Sequence, residues 1–411
     1  MTRCIWYVSK YVAPPDGPDG VGSRGYELMR ELAALGHRCV IVTSDANHLA
    51  TVPHVQGRRL LQKRDGLLVC WVRTLKAARA KSWQRIAGWL HFEWRLARLR
   101  KRDLPRPDVV VVSSPSLFTL LNGLWLKRRI GARLVFEVRD IWPLTLVDEG
   151  GYSPRNPLIR LLGTLERLGY RHADAVVGTM PNLREHVRTV LGQDRPVHCI
   201  PMGYSPRALK AGSVSLPESF LEEHTPSGRF TVVYAGTIGI SNALETLFEV
   251  AETLRARTDI HFLVVGDGSL RQQYVDAYGS LDNLTFVPRV PKDAVGSLLA
   301  RCDLLYLSTR PGELWRYGQS LNKLVDYMLA GKPILASFSG HPSMVDEARC
   351  GTFVPAGDAV AVAREVERYR DMEATERDAI GQRGREWLMT HRPYPRLASD
   401  YAEVLTGTGS T

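Results

Sequence analysis

One structural rhythm occurs twice in this chain, and that constrains its fold more than any other feature. Short apolar runs alternate with helical patterns up to about residue 200, stop, and resume at 230. The first set of runs is Cys4–Val8, Cys39–Thr43, Val109–Ser113, Arg133–Val138, Ala175–Gly178 and His198–Ile200. Helical segments lie between them: Arg24–Leu35, which Gly36 stops, then about Ser116–Arg129, Asn156–Tyr170 and Asn182–Leu191. Strands alternating with helices imply a parallel sheet covered on both faces. From Pro201 to Arg229 the chain is rich in Pro, Gly and Ser and loses periodicity, which reads as a linker. A second series follows with strands Phe230–Tyr234, His261–Val265, Leu284–Val287, Leu304–Leu307, Pro333–Ala336 and Thr352–Val354. The expected fold is therefore α/β, with two doubly wound parallel-sheet domains. The domains are 1–203 and 230–385, with 204–229 as linker and a helical end at 386–411. Ligands of such sheets bind beyond the carboxyl ends of the strands, so the expected site is the crevice between the domains.

Composition narrows the partners. The 411 residues suffice for two cored domains, and the net charge of +11 points to a polyanion: anionic lipid, nucleic acid or a phosphorylated substrate. The six cysteines are scattered without a C-x-x-C pair, so neither a zinc site nor a disulfide framework is expected, and a reducing compartment fits. No run reaches the ~18 apolar residues of a membrane span. Cys4–Val8 is too short for a signal peptide and is a first strand. A cytoplasmic protein with at most peripheral membrane contact is expected.

The segment Gly318 to Leu335 reads as a glycine-containing loop, a helix start, two turns of helix, a glycine stop and a strand. Ser320 or Asn322 suits the helix cap. Lys323 then falls in the first turn, where the helix dipole disfavours a cation unless an anion is held there. Asp326 follows at i+3, on the same face. A cation for phosphate beside a carboxylate for hydroxyls suits a nucleotide-sugar pocket; a surface helix with a tolerated lysine is the alternative.

Two further loops follow strands and open helices: Gly236-Thr237-Ile238-Gly239 and Gly266-Asp267-Gly268. Glycines there let a backbone approach a ligand, although glycines at strand ends are often only turns. Neither loop is the full dinucleotide fingerprint or a Walker loop. In the first half, Gly20 to Gly25, including Gly22, opens a helix. Glu137-Val138-Arg139-Asp140-Ile141-Trp142-Pro143 follows a strand, where Glu137, Asp140 and Arg139 would hold sugar hydroxyls and Trp142 would offer a stacking face; the alternative is a salt-bridged loop. The chain has no D-x-D, H-E-x-x-H or G-x-S-x-G motif, so neither a metal-dependent mechanism nor a serine hydrolase is supported.

Together these residues resemble the retaining glycosyltransferases of family 4, which have the GT-B fold. Leu32-Ala33-Ala34-Leu35-Gly36-His37-Arg38-Cys39-Val40 resembles that family's first βαβ unit, and Ile200-Pro201-Met202-Gly203-Tyr204 its I-P-N-G-V hinge entry. Tyr234-Ala235-Gly236 and Val265-Gly266-Asp267-Gly268 resemble its donor-domain loops, and Asp326 to Pro333 its E-A-M-A-C-G-x-P run. Arg139 to Pro143 and Ser320-x-Asn322-Lys323-Leu324-x-Asp326-Tyr327-Met328 are similar to the bacterial surface-polysaccharide branch. The resemblance implies transfer of an N-acetylated amino sugar from a UDP donor to a polyprenyl-diphosphate-linked glycan, without cofactor or metal. It also implies a last helix that crosses back to the first domain. There are departures. The first of two family glutamates is Gly318 here, the histidine before the first-domain aspartate is Arg139, and Gly239 to Ala243 lacks the usual cations. Diphosphate neutralisation then falls to Lys323, backed by Arg289, Arg310 and Arg316, with the Ser320 to Asn322 amides.

The resemblance assigns the remaining roles. Asp326 would bind ribose or sugar hydroxyls. Gly236, Thr237, Gly239, Asn242, Gly266 and Gly268 would line the donor, while Arg139, Asp140, Gly22, Glu137 and Trp142 would line the acceptor. Lys323, Asp326, Asp140 and Arg139 form the catalytic set. Residues 76–102 interleave cations (Arg85, Arg95, Arg98 among them) with Trp83, Trp89 and other apolar residues, the composition of a peripheral anchor on the inner face of an anionic membrane. The alternative is a core helix pair with a solvated basic face. Nucleic acid finds no motif. A UDP-sugar 2-epimerase and a catalytically degenerate, partner-binding GT-B protein are the rival functions.

Overall fold

The computed structural model describes residues 2–12, 14–15, 22–47, 52–76, 83–99, 103–212 and 214–407, with the side chains of the helix that starts at Trp83 described from residue 87. The chain forms two compact units, Met1–Ala208 with Arg392–Thr411, and Leu209–His391.

The first unit holds β1 (Cys4–Val8), β2 (Arg38–Ser44), β3 (Arg59–Arg64), β4 (Leu67–Val72), β5 (Val109–Ser113), β6 (Arg133–Val138), β7 (Ala175–Gly178) and β8 (His198–Cys199). They form one sheet in the order β3-β4-β2-β1-β5-β6-β7-β8. Only the β3–β4 pair is antiparallel. β3 escapes the periodicity reading because it is mostly exposed and carries four cations or amides in six residues, whereas β4 is a buried apolar run that the sequence reading leaves out. Their turn is Asp65-Gly66, both residues at positive φ (49° and 76°), the backbone that a two-residue hairpin requires and Asp-Gly supplies.

The core of this unit is closed by the end of the chain. Tyr394, Leu397, Ala398, Tyr401, Val404 and Leu405 of the final helix, Tyr394–Thr406, join Ile5, Tyr7, Ile41 and Val111 in one buried cluster. Their i, i+3, i+4 spacing makes a single apolar stripe.

The second unit holds β9 (Phe230–Ala235), β10 (Ile260–Val265), β11 (Leu284–Val287), β12 (Leu304–Ser308), β13 (Ile334–Ser337) and β14 (Gly351–Val354). Their order is β11-β10-β9-β12-β13-β14, with every pairing parallel. The chain winds outward from β9 in both directions, so the topological switch lies between β9 and β12. Crevices for ligands open at that point in such sheets. In the first unit the same switch lies between β1 and β5.

Residues 204–229 are not an open tether. They carry the short helices Pro206–Ala211 and Glu218–His224, Leu221 is buried, and Leu216 N–H donates to Ser297 Oγ at 3.2 Å. Helix Ala374–His391 packs on the second unit, and the crossing to the first unit comes at Arg392.

Candidate active site

In the second unit the helix Asn322–Ala330 starts beside the switch point. Tyr327 fixes it there: its hydroxyl accepts from Ala235 N–H at 2.9 Å and donates to the Tyr306 carbonyl at 3.1 Å, tying the helix to β9 and β12. The helix carries no side-chain cap. Leu321 occupies the cap position in extended geometry, which leaves Ser320 one residue early and makes Asn322 the first helical residue. Neither serves as the expected cap.

Lys323 Nζ donates to Asn242 Oδ1 at 2.6 Å and to Tyr234 Oη at 3.0 Å, and stands 4.4 Å from the centroid of the Tyr234 ring. No carboxylate pairs with it among the described residues. The ammonium is thus half-buried with neutral partners only, and burial lowers its pKa to about 7. A desolvated cation without a counter-ion is costly and is the state in which an anionic ligand gains most. Asp326 does not complete an ion pair with it. Its carboxyl is raised by burial and held back by Lys292, so the two residues answer to different neighbours.

Gly236 lies against this ammonium: a Cβ there would stand 3.1 Å from Tyr234 Oη and 3.4 Å from Lys323 Nζ. The Thr237 carbonyl accepts from Tyr234 Oη at 2.6 Å and from Asn242 Nδ2 at 2.9 Å. Gly239 has ordinary room for a side chain. Gly266 and Gly268 serve the protein's own packing. A Cβ on Gly266 would sit 1.9 Å from the Gly236 carbonyl, and one on Gly268 2.1 Å from that of Ile238. The β9 and β10 loops therefore touch backbone to backbone, joined by Ile238 N–H to the Asp267 carbonyl at 2.9 Å.

Arg289, Arg310 and Arg316 are exposed. Arg310 pairs with Glu245 at 3.5 Å and Arg316 with Glu313 at 2.8 Å, so these two are engaged at the surface. Ser320 is half-buried and Asn322 exposed. Gly318 adopts φ 104°, a region that disfavours any side chain; the position where the resembled family carries a glutamate is here built for glycine. Next to it, Gln319 is 9% exposed, with both amide atoms buried and without a hydrogen-bond partner among the described residues. No motif marks Gln319, and only tertiary burial reveals it.

In the first unit the structure corrects one acceptor residue outright. Glu137, fully buried on β6, accepts from Arg24 Nη1 at 2.7 Å, Tyr7 Oη at 2.6 Å, Ser113 Oγ at 2.9 Å and Tyr401 Oη at 3.0 Å. Nothing of it remains for a ligand. Burial alone would raise this carboxyl, but the Arg24 guanidinium and the hydrogen bonds outweigh it and hold the pKa at about 2. Arg24 also donates to the carbonyls of Ile200 and Pro201. Sequence pattern gave no hint of Arg24 or Tyr401 as partners.

Gly22 is committed as well: its N–H donates to Glu27 Oε1 at 2.9 Å, and the glycine-rich residues 16–21 lie outside the described residues. Arg139 and Asp140 do sit at the carboxyl end of β6, half-buried and exposed, with their backbone amides held by Ser114 Oγ. Trp142 offers less than a free stacking face, because it packs edge-on against Trp89 at 5.2 Å.

That contact also corrects the membrane reading of Trp89, which is buried and donates to Tyr11 Oη at 2.7 Å. Phe92 and Leu96 are buried with it, so this face of helix Trp83–Ala97 is core. The side chains of Trp83 and Arg85 lie outside the described residues. The outer face is different. Leu90 and Trp94 are 49% and 48% exposed, and Leu121 and Trp125 on the adjacent helix Thr119–Ile130 are 48% and 47% exposed. Arg95 and Arg98 lie over the Trp94 ring.

Comparison with known proteins agrees with the two-unit fold. Residues 19–203 match the family model "Glycosyl transferase 4-like domain", and residues 229–371 match "Glycosyl transferases group 1". The chain is 26% identical over 320 residues (71% of this chain, 72% of the relative) to 2-deoxystreptamine N-acetyl-D-glucosaminyltransferase of Streptomyces fradiae. It is 25% identical over 387 residues (88% and 92%) to 2-deoxystreptamine glucosyltransferase of Streptomyces kanamyceticus. Sucrose-phosphate synthase from Thermosynechococcus elongatus shares the fold, with a TM-score of 0.73 at 15% identity over 99% of both chains.

Proposed function

The chain belongs to the GT-B glycosyltransferases with a 4-like first domain and a group 1 second domain, and we propose that it moves an N-acetylated amino sugar from a UDP donor to a lipid-linked acceptor of a bacterial surface glycan, with retention of configuration and without a metal. The observation that carries the donor side is the Lys323 ammonium, held by neutral groups alone beside the switch point of the second unit. It would take the diphosphate, with the uncapped amides of the Ser320 to Asn322 turn beside it. Gly236 would let the diphosphate come close. Asp326 and the unpartnered Gln319 amide would meet sugar or ribose hydroxyls. Arg139 and Asp140 would meet the acceptor. The bond from the anomeric carbon to the diphosphate oxygen breaks, the acceptor oxygen bonds on the same face, and the acceptor proton passes to the departing diphosphate. Preorganised charge where the leaving group gains its own is the largest source of rate in such a step.

The amino-sugar donor draws support from the Streptomyces fradiae relative, whose name specifies N-acetyl-D-glucosaminyl transfer. Lipid-linked acceptance draws support from the exposed Leu90, Trp94, Leu121 and Trp125 beside Arg95 and Arg98, since aromatics flanked by cations suit an anionic bilayer surface. No helix among the described residues is long and apolar enough to cross a membrane. The chain is expected to float with phosphatidylglycerol vesicles. The Trp94→Ala, Arg98→Glu double variant is expected to lose about tenfold or more of that binding, at roughly 1 kcal/mol per basic residue near the surface. Flotation untouched by the double variant would remove the lipid side of the reading.

A second acceptor reading has its own support, because both relatives are named for 2-deoxystreptamine. The two separate in a transfer assay read by mass spectrometry, pairing UDP-GlcNAc or UDP-glucose with a polyprenyl-diphosphate glycan or with 2-deoxystreptamine, with and without EDTA. Product on the lipid alone, unaffected by EDTA, is expected. Product on 2-deoxystreptamine alone would transfer the reading to the small acceptor, and epimerised free UDP-sugar without transfer would overturn both.

A further inference from the structure

We infer that Tyr234 is a positioning residue for Lys323, its ring face and its hydroxyl together fixing where the ammonium stands for an incoming nucleoside diphosphate. The inference rests on the reading of Lys323 as the diphosphate cation and adds the device that aims it.

Tyr234 is the penultimate residue of β9 and fully buried, so its ring is immobile relative to the sheet. Its hydroxyl donates to the Thr237 carbonyl at 2.6 Å. That commits the phenolic proton and leaves the oxygen's lone pairs to Lys323 Nζ, 3.0 Å away. The same ammonium lies over the ring at 4.4 Å from the centroid, within the range where the π face attracts a cation.

Asn242 closes the other side. Its Nδ2 donates to the same Thr237 carbonyl at 2.9 Å, which turns Oδ1 toward Lys323. Its backbone carbonyl is held by Ser308 Oγ at 2.6 Å. Both acceptors are thus referred to one carbonyl, and the seat is rigid. Two of the three ammonium N–H groups are used, and the third has no partner among the described residues. A phenylalanine would fill the same core volume at position 234. The hydroxyl is explained only by Thr237 and Lys323.

Among the described residues, the elements that hold Lys323 supply no competing charge. β9 contributes the Tyr234 phenol, whose pKa burial pushes far above neutrality. The turn Ile240–Asn242 contributes neutral Asn242, and the lysine's own helix contributes Asp326, which answers to Lys292. Lys323 is the group of this seat that titrates near neutral pH.

The test is UDP binding by calorimetry from about pH 5.5 to 9, below the titration of the uracil N–H and spanning the Lys323 pKa of about 7, with each variant read against the wild type so that the titration of the UDP phosphate, common to both, cancels. In the wild type, affinity is expected to fall by up to about tenfold per pH unit once the free protein loses the Lys323 proton. Tyr234→Phe removes an acceptor of the charged form, so the midpoint of that fall is expected to move down by about half to one pH unit. Asn242→Asp puts a carboxylate at the ammonium and is expected to move it up. A purely structural role would weaken binding without moving the midpoint, and thermal melts report the fold of each variant. A midpoint unmoved in Tyr234→Phe overturns the role of Tyr234. Unchanged UDP binding in Lys323→Met would instead overturn the diphosphate reading beneath it.

Discussion

Lys323→Met is expected to lower kcat by about 10²- to 10³-fold, the scale on which removing one preorganised charge-stabilising group acts, while leaving the melting temperature unchanged or slightly higher. The two halves of this result have one cause. In the free protein the ammonium is desolvated, its pKa is lowered to about 7, and no carboxylate among the described residues offsets the loss of water. Replacing such a group with an apolar side chain of similar length is neutral or stabilising for folding. The charge therefore earns nothing for the fold, and its benefit appears only when an anion arrives. Steady-state kinetics with the donor identified by the transfer assay, beside a thermal melt, checks both. Full turnover in the variant would remove Lys323 from the reaction.

Arg24→Met is expected to act in the opposite way, destabilising the first unit by about 3–5 kcal/mol, the cost of stripping the partner from a buried ion. The loss falls on a pair with no solvent exposure on either side chain, and it also deprives the Ile200 and Pro201 carbonyls of their donor. The pH dependence gives a sharper signature. In the wild type the folded Glu137 pKa lies below its unfolded value, at about 2. Its contribution to stability is thus complete above the ordinary carboxylate range and is lost as pH falls toward 2. Without Arg24, burial is opposed by the Tyr7 hydrogen bond and the Arg139 charge, and as the largest influence on this carboxyl it is expected to raise the pKa above its unfolded value. The Glu137 contribution then reverses sign: the variant gains stability as pH is lowered from 7 toward 4.5. Urea unfolding at pH 7 and pH 5 reads the difference. A variant that loses less than about 1 kcal/mol, or keeps the wild-type pH slope, would show that Glu137 is compensated elsewhere.

These two residues show where sequence reasoning reaches. Lys323 was visible because a lysine in the first turn of a helix is locally anomalous, and the anomaly needs no knowledge of the fold. Its seat was not visible: Tyr234 and Asn242 lie 89 and 81 residues away. Glu137 looked like a ligand-facing carboxylate because it ends a strand beside Arg139 and Asp140, a pattern that fits a site and a buried network equally. The deciding partner, Tyr401, comes 264 residues later. The glycines divide in the same way. Gly266 and Gly268 carry the pattern of a ligand loop, yet each admits the backbone of a neighbouring loop. The helix at Trp83–Ala97 has a composition that suits either core or membrane, and it has both faces, with Trp89 inward and Trp94 outward.

What the sequence by itself determined is the architecture: two parallel α/β units, all of their strands but β3 and β4, and the glycine-bounded helix that carries Lys323. Apolar periodicity and turn chemistry are local, written within a few residues of where they act. What only the tertiary structure decided is which polar side chains face one another. Glu137 was turned into a structural ion by Arg24, Tyr7 and Tyr401, and Lys323 was left charged among neutral groups, because burial and hydrogen-bond partners are set by segments distant in the chain that the fold brings within 3 Å.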